Sequence, residues 1–230
     1  MPKPWITFDL DGTLLKNPYW RLTLFPWIQQ ESARHHLKWP QFWQPVVNEG
    51  QKRWAQGRWV EAYDWEDIIQ RVWGKKPPQP GMFAWHHVAS LSLPGVLWML
   101  SVLQDYPVRL GIVTNGLAVN QLPFIQSLGW HKTFDTIVTT NENTRCKPDP
   151  RVFTAFDGPI LCHIGDRVNH DVLVAHRAHV TSVLYQTDWR PEDRFDPLSP
   201  ALVLPNHILS DYWDLPKLID HLLQMQHVPL

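Results

Sequence analysis

Trp5 to Phe8 is an unbroken apolar run that ends against two carboxylates, Asp9 and Asp11. A run of that length, closed by turn residues, reads as a short buried strand. From about Lys16 to Leu93 the apolar spacing changes to that of helices. It predicts them over Tyr19 to His36, Gln41 to Ala55, Glu61 to Trp73 and Met82 to Leu91, with breaks at Pro40, Gly57 and Lys75 through Gly81. No strand pattern falls within that stretch. After Pro94-Gly95 strands and helices alternate. Strands are predicted over Val108 to Val113, Thr136 to Thr139, Ile160 to Ile164 and Val180 to Tyr185. Between them lie helices over Val96 to Gln104, Val119 to Leu128, Asp149 to Phe156 and Asp171 to Ala178. A looser tail holds Leu202 to Leu204, Ile208 and a closing helix from Leu215 to Met225.

Apolar strands separated by amphipathic helices predict an α/β fold, a Rossmann-like parallel sheet covered by helices on both faces. The helical block between the first strand and the rest is far longer than a strand-to-strand crossover. It is expected as an inserted domain over residues 16–93, with the sheet built from residues 1–15 and 94–230.

Composition narrows the class. The chain has 230 residues, enough for a substantial core, and its 44% hydrophobic and 19% charged content fits a folded protein rather than a disordered one. A formal net charge of −1 provides no long-range attraction to nucleic acid or to anionic lipid, so neither is an expected partner. No apolar segment approaches membrane-spanning length, and Met1-Pro2-Lys3-Pro4 leads straight into a strand without a signal peptide, so the expected location is cytoplasmic. Cys146 and Cys162 are the only cysteines, too few for a disulfide framework, and Cys162 reads as a small buried hydrophobe. Nine of the 14 Trp lie between Trp20 and Trp85. They read as the core of the helical block, the alternative being a lining for an apolar leaving group. His176 and His179 sit at i, i+3 with no third ligand in view, and read as packed or solvated.

In sheets of this kind, sites form beyond the carboxyl ends of the strands. The polar residues that follow the predicted strands are Asp9 and Asp11, Thr114 and Asn115, Lys147, and Asp166 with Asp171. Read alone, Asp11-Gly12 serves equally well as a hairpin turn. Taken with the others it joins four carboxylates, a hydroxyl, an amide and an ammonium at one edge, the set that phosphoryl transfer needs. Carboxylates one residue apart call for a cation, and hard oxygen ligands suit Mg²⁺.

These motifs, Asp9-Leu10-Asp11-Gly12-Thr13, Thr114-Asn115, Lys147 in Lys-Pro-Asp-Pro, and Gly165-Asp166 with Asp171, resemble in order and spacing those of the haloacid dehalogenase superfamily, and within it the phosphatases. The resemblance runs from residue 5 to about residue 185. It implies that Asp9 is the nucleophile and Asp11 the general acid and base. It also implies that Thr114 and Lys147 hold the phosphoryl group, with Asn115 contributing through its backbone N–H or its side chain, and that Mg²⁺ is bound by Asp9, the Asp11 carbonyl and Asp166, with Asp171 as a further ligand or a partner to one. The helical block falls where the family carries its cap, and the implied substrate is a small phosphorylated metabolite. Asn17, Arg21, Arg53 and Arg58 are the polar residues of the block expected to reach it, together with Arg167 at the site mouth.

The chain departs from the family pattern at Val174 and His179, where glycines are usual, and at Arg167, where a small residue is usual. A sugar-phosphate mutase or a carbon–halogen hydrolase would share the covalent step. Asp11 argues against halogen chemistry, and the block carries no basic cluster for a second phosphate. A non-enzymatic binding module on the same fold would be expected to lack a motif aspartate, and here none is missing. Oligomeric state is not legible in the sequence.

Overall fold

The computed structural model describes residues 2–140, 145–186 and 203–226. Six strands form one sheet: β1 (Trp5–Phe8), β2 (Arg109–Val113), β3 (Thr136–Val138), β4 (Ile160–Gly165), β5 (Ser182–Tyr185) and β6 (His207–Leu209). All five pairings are parallel, in the spatial order β3-β2-β1-β4-β5-β6. The chain builds outward from β1 through β2 and β3, then returns to add β4 on β1's other side. That reversal opens a crevice beside β1, where ligand sites of this fold class form.

Alternation along the strands separates the two faces. Ile6, Phe8, Leu110, Ile112, Cys162 and Ile164 share one apolar cluster, while Trp5 and Val113 join Val152, Phe153, Phe156 and Val174 in another. The first cluster takes in buried side chains of α5 (Val96–Leu103), α6 (Ala118–Ser127) and α8 (Leu215–Gln226). The second takes in the 3-10 turn Pro150–Ala155 and α7 (Leu173–Arg177). Both faces are therefore covered, as the sequence predicts.

Between β1 and α5 lie α1 (Phe25–Arg34), α2 (Trp39–Ala55), α3 (Trp65–Trp73) and α4 (Trp85–Ala89), with no strand among them. The chain enters and leaves this block side by side, with an antiparallel bridge between Leu15 and Ser92: Lys16 N–H donates to the Leu91 carbonyl at 2.8 Å, and Leu93 N–H to the Leu14 carbonyl at 3.0 Å. Leu24, Ile28, Phe42, Val46, Ile68 and Ile69 of the block belong to the same apolar cluster as the sheet face below. Most of the block's tryptophans pack on other rings. Trp73 stacks on Phe42 with centroids 4.4 Å apart, and Trp43 lies between Trp20 and Trp65.

Several elements differ from the sequence pattern for local reasons. The expected helix from Tyr19 begins as a wide π turn, Trp20–Leu24, before α1; Pro26 lacks the N–H that a continuous ladder would need. Glu61 to Trp73 divides at Asp64, whose carboxylate accepts the Asp67 N–H and starts α3. Only Trp85–Ala89 is helical within Met82 to Leu91, since Leu91 is engaged in the connector pairing. Asp149 to Phe156 is a 3-10 turn, and Asp171 lies in a π turn, Val168–Val172, ahead of α7. Of the tail, Leu202 lies outside the described residues, Leu204 is exposed, and Ile208 sits in β6. Among the described residues no helix is long and apolar enough to cross a membrane.

Candidate active site

The sheet edge gathers its polar residues from four loops. Asp9 follows β1 directly, and its N–H donates to the Ile164 carbonyl of β4 at 2.8 Å, so the first motif is anchored to the strand that carries Asp166. Carboxylate oxygens of Asp9, Asp166 and Asp171 lie within 4.8 Å of one another. Asp171 reaches them by crossing Gly165. A Cβ at Gly165 would come within 2.1 Å of the Asp171 Cγ, so that position admits only glycine.

Lys147 is the buried cation among these acids. Its Nζ donates to Asp9 Oδ1 and to Asp171 Oδ1, each at 2.6 Å, and its side chain is 2% exposed. Asn115 holds it there through a two-bond clasp: the Lys147 N–H donates to Asn115 Oδ1 at 2.8 Å, and Asn115 Nδ2 donates to the Lys147 carbonyl at 2.9 Å. The Asn115 side chain thus supports Lys147. Thr13 places its hydroxyl between Asp9 Oδ2 at 3.2 Å and Asp166 Oδ1 at 3.3 Å.

One ammonium does not neutralise this set. Burial would lower Lys147, but Asp171 and Asp9 outweigh it and hold the ammonium above its usual range. Burial would raise Asp171, yet Lys147 and His163 hold it well below the usual carboxylate range. Asp9 is left raised, mainly by burial, with Lys147 opposing and Asp171 adding to the shift. Behind Asp171 the His163 Nε2 stands 3.2 Å from Oδ1, and its Nδ1 meets the Thr7 hydroxyl at 3.0 Å. An ionised Asp171 can only accept, so Nε2 bears a hydrogen, while the Thr7 hydroxyl beside Nδ1 also lies within donating distance, 3.3 Å, of the Cys162 carbonyl.

A cavity of about 230 Å³ opens over this centre. Asp9, Asp11, Thr114, Asn115, Lys147, Asp166 and Asp171 line it. Thr114 faces it from the end of β2. Asp11 turns its carboxylate toward α6, where Gln121 Nε2 donates to Oδ2 at 2.7 Å, so the carboxylates clustered for a cation are Asp9, Asp166 and Asp171.

The expected substrate contacts divide. Asn17 and Arg167 line the cavity; Asn17 Oδ1 accepts the Trp20 N–H, and the Arg167 N–H donates to Asp171 Oδ2. Arg21, Arg53 and Arg58 do not line it. Arg53 is 1% exposed inside the helical block, bound to Glu49, Asp67 and the Glu61 carbonyl, which makes it a structural cation. Arg58 is exposed beside Glu61, and Arg21 is exposed on the first turn of the block. In their place the block presents Tyr19, Tyr63 and Trp65 to the cavity. The sheet side adds Gln121 and His170, which the motif reading passes over. Gln121 sits on an unremarkable helix face, and only the adjacency of His170 to Asp171 could have drawn attention to it.

A model of the haloacid dehalogenase-like hydrolases matches residues 4–179. A glyceraldehyde 3-phosphate phosphatase from Methanothermobacter thermautotrophicus is 27% identical over 139 residues, covering 55% of this chain and 62% of that protein. One from Methanopyrus kandleri is 32% identical over 96 residues, covering 39% and 41%. The aligned part thus spans less than two thirds of these curated relatives. A HAD phosphatase from Thermococcus onnurineus has a similar fold, with a TM-score of 0.65 at 20% identity over 95% of this chain and 98% of that one. A predicted phosphoglycolate phosphatase from Haemophilus somnus 129pt gives 0.62 at 20% identity, over 94% and 98%.

Proposed function

The chain belongs to the haloacid dehalogenase-like hydrolases, and from that premise we propose that it hydrolyses a small phosphomonoester through an aspartyl-phosphate on Asp9. The observation that carries this reading is the meeting of Asp9, Asp166, Asp171 and Lys147 in one cavity. Asp9 attacks phosphorus as the bond to the leaving oxygen breaks, and Asp11 supplies that oxygen with a proton. Asp11 then takes a proton from the water that attacks the aspartyl-phosphate, and Asp9 is released with inorganic phosphate. Thr114 and Lys147 hold the phosphoryl oxygens, while Asn115 keeps Lys147 in place.

The donor set fits Mg²⁺: three carboxylates with hard oxygens stand close together beside a single buried ammonium. Asp9, Asp166 and Asp171 would hold the ion, with the Asp11 carbonyl as a further ligand. When bound, it offsets the charge that develops on the phosphoryl oxygens.

Residues 16–93 act in this reading as a cap over the catalytic unit formed by residues 1–15 and 94–230. Tyr19, Tyr63 and Trp65 form its wall of the cavity. The volume supports a phosphate carrying a short chain, and the names of the relatives, glyceraldehyde 3-phosphate phosphatase and phosphoglycolate phosphatase, support the same class. The test is phosphate release from a panel of phosphomonoesters with added Mg²⁺. Release that disappears in Asp9→Asn and on chelation is expected. A wild-type protein inert across the panel would overturn the proposal.

A further inference from the structure

Tyr63 comes from the helical block and meets the sheet-side loop at His170, with Oη 2.6 Å from Nε2. Both residues line the cavity, and Trp54 packs against the imidazole, 4.6 Å between centroids. His170 is 3% exposed, and its Nδ1 is buried with no hydrogen-bond partner. A hydrogen on Nδ1 would leave a buried donor unsatisfied, which folded proteins rarely tolerate. The hydrogen therefore sits on Nε2 and is donated to Tyr63 Oη.

That assignment fixes what the phenol can do. Its oxygen accepts from His170, and the Asn115 amide approaches it from the phosphate-binding loop. Burial pushes the Tyr63 phenol up to about 12, so it stays protonated and its own hydrogen remains to be given away. Tyr63 lines the same cavity as Asp9, Thr114 and Lys147, where a phosphoryl group would be held. We propose that the Tyr63 hydroxyl, aligned by His170, donates a hydrogen bond to a phosphoryl oxygen of the bound substrate. The inserted helical block thereby supplies a direct phosphate ligand in addition to walling the cavity. This deepens the phosphatase reading and rests on it.

Tyr63→Phe removes the hydroxyl and keeps the ring. The probe is inorganic phosphate, measured as a competitive inhibitor of p-nitrophenyl phosphate hydrolysis by the Mg²⁺-loaded protein, alongside His170→Leu. A hydrogen bond to a charged oxygen predicts that Tyr63→Phe raises the phosphate Ki about 10-fold, with His170→Leu raising it less because the hydroxyl remains. A Ki within twofold of wild type in Tyr63→Phe overturns the proposal. So does an equal, non-additive loss in the two single variants and the double, which marks a simple tether between block and sheet. A thermal melt accompanies each variant, and because Ki is read only from active protein, partial unfolding does not imitate either result. A wild type that neither turns over the aryl phosphate nor binds phosphate defeats the phosphatase reading itself, and this inference with it. An active wild type with an unchanged Tyr63→Phe Ki defeats this inference alone.

Discussion

Lys147 Nζ stands 2.6 Å from Asp9 Oδ1, and the same ammonium also serves Asp171, leaving three clustered carboxylates with one buried positive charge. A divalent ion that binds the folded site alone must then stabilise the fold by mass action. With Mg²⁺ at about 100 times its Kd the melting temperature is expected to rise by about 5–10 °C. The rise should vanish in Asp166→Asn, which removes a ligand without touching the Lys147 pairs. A melt insensitive to Mg²⁺ in the wild type would count against the metal site.

His179 has φ +56° at the end of α7. Its N–H donates to the His176 carbonyl and the Val180 N–H to the Ala175 carbonyl, the two bonds of a Schellman C-cap, whose left-handed position glycine ordinarily fills. His179→Gly is expected to stabilise the protein by about 1 kcal/mol, a gain of about 2–4 °C in melting temperature. A lower melting temperature would show that the imidazole makes contacts worth more than the strain.

Arg53 donates to Glu49 Oε1 at 3.1 Å and to the Glu61 carbonyl at 3.0 Å, and pairs with Asp67 at 2.7 Å. Removing a buried partner strands the others, so Arg53→Leu should lower unfolding free energy by about 3 kcal/mol, discounted toward 2 because Asp67 is 61% exposed. Urea denaturation reads the loss. KM measured on the remaining folded protein should stay within twofold, which is the outcome that separates this structural role from a substrate contact.

Arg53 also marks where sequence reading stops. The strands, their parallel arrangement and the motif residues at their ends are legible because each is local: an apolar run followed by a polar residue puts that residue at the sheet edge whatever the helices do. The helical block has no such rule. Asn17 and Arg53 are both polar residues of the block expected to reach the substrate, and only packing sends Arg53 into an ion-pair cluster and Asn17 to the cavity. Tyr63 and His170 lie 107 positions apart, and nothing in either neighbourhood indicates their contact. Gln121 reaches Asp11 across 110 positions in the same way. The glycine missing at position 179, by contrast, was visible in the sequence, and the structure gives its consequence as a left-handed histidine.

The central claim is that Asp9 accepts the phosphoryl group, and trapping that intermediate tests it most directly. Mg²⁺-loaded protein mixed with a radiolabelled phosphomonoester and quenched in acid within the first turnover should carry label on the peptide that contains Asp9. The label should be lost on treatment with hydroxylamine and absent from Asp9→Asn. Active protein that releases phosphate while Asp9→Asn retains its rate, or label recovered on a different residue, would contradict the account.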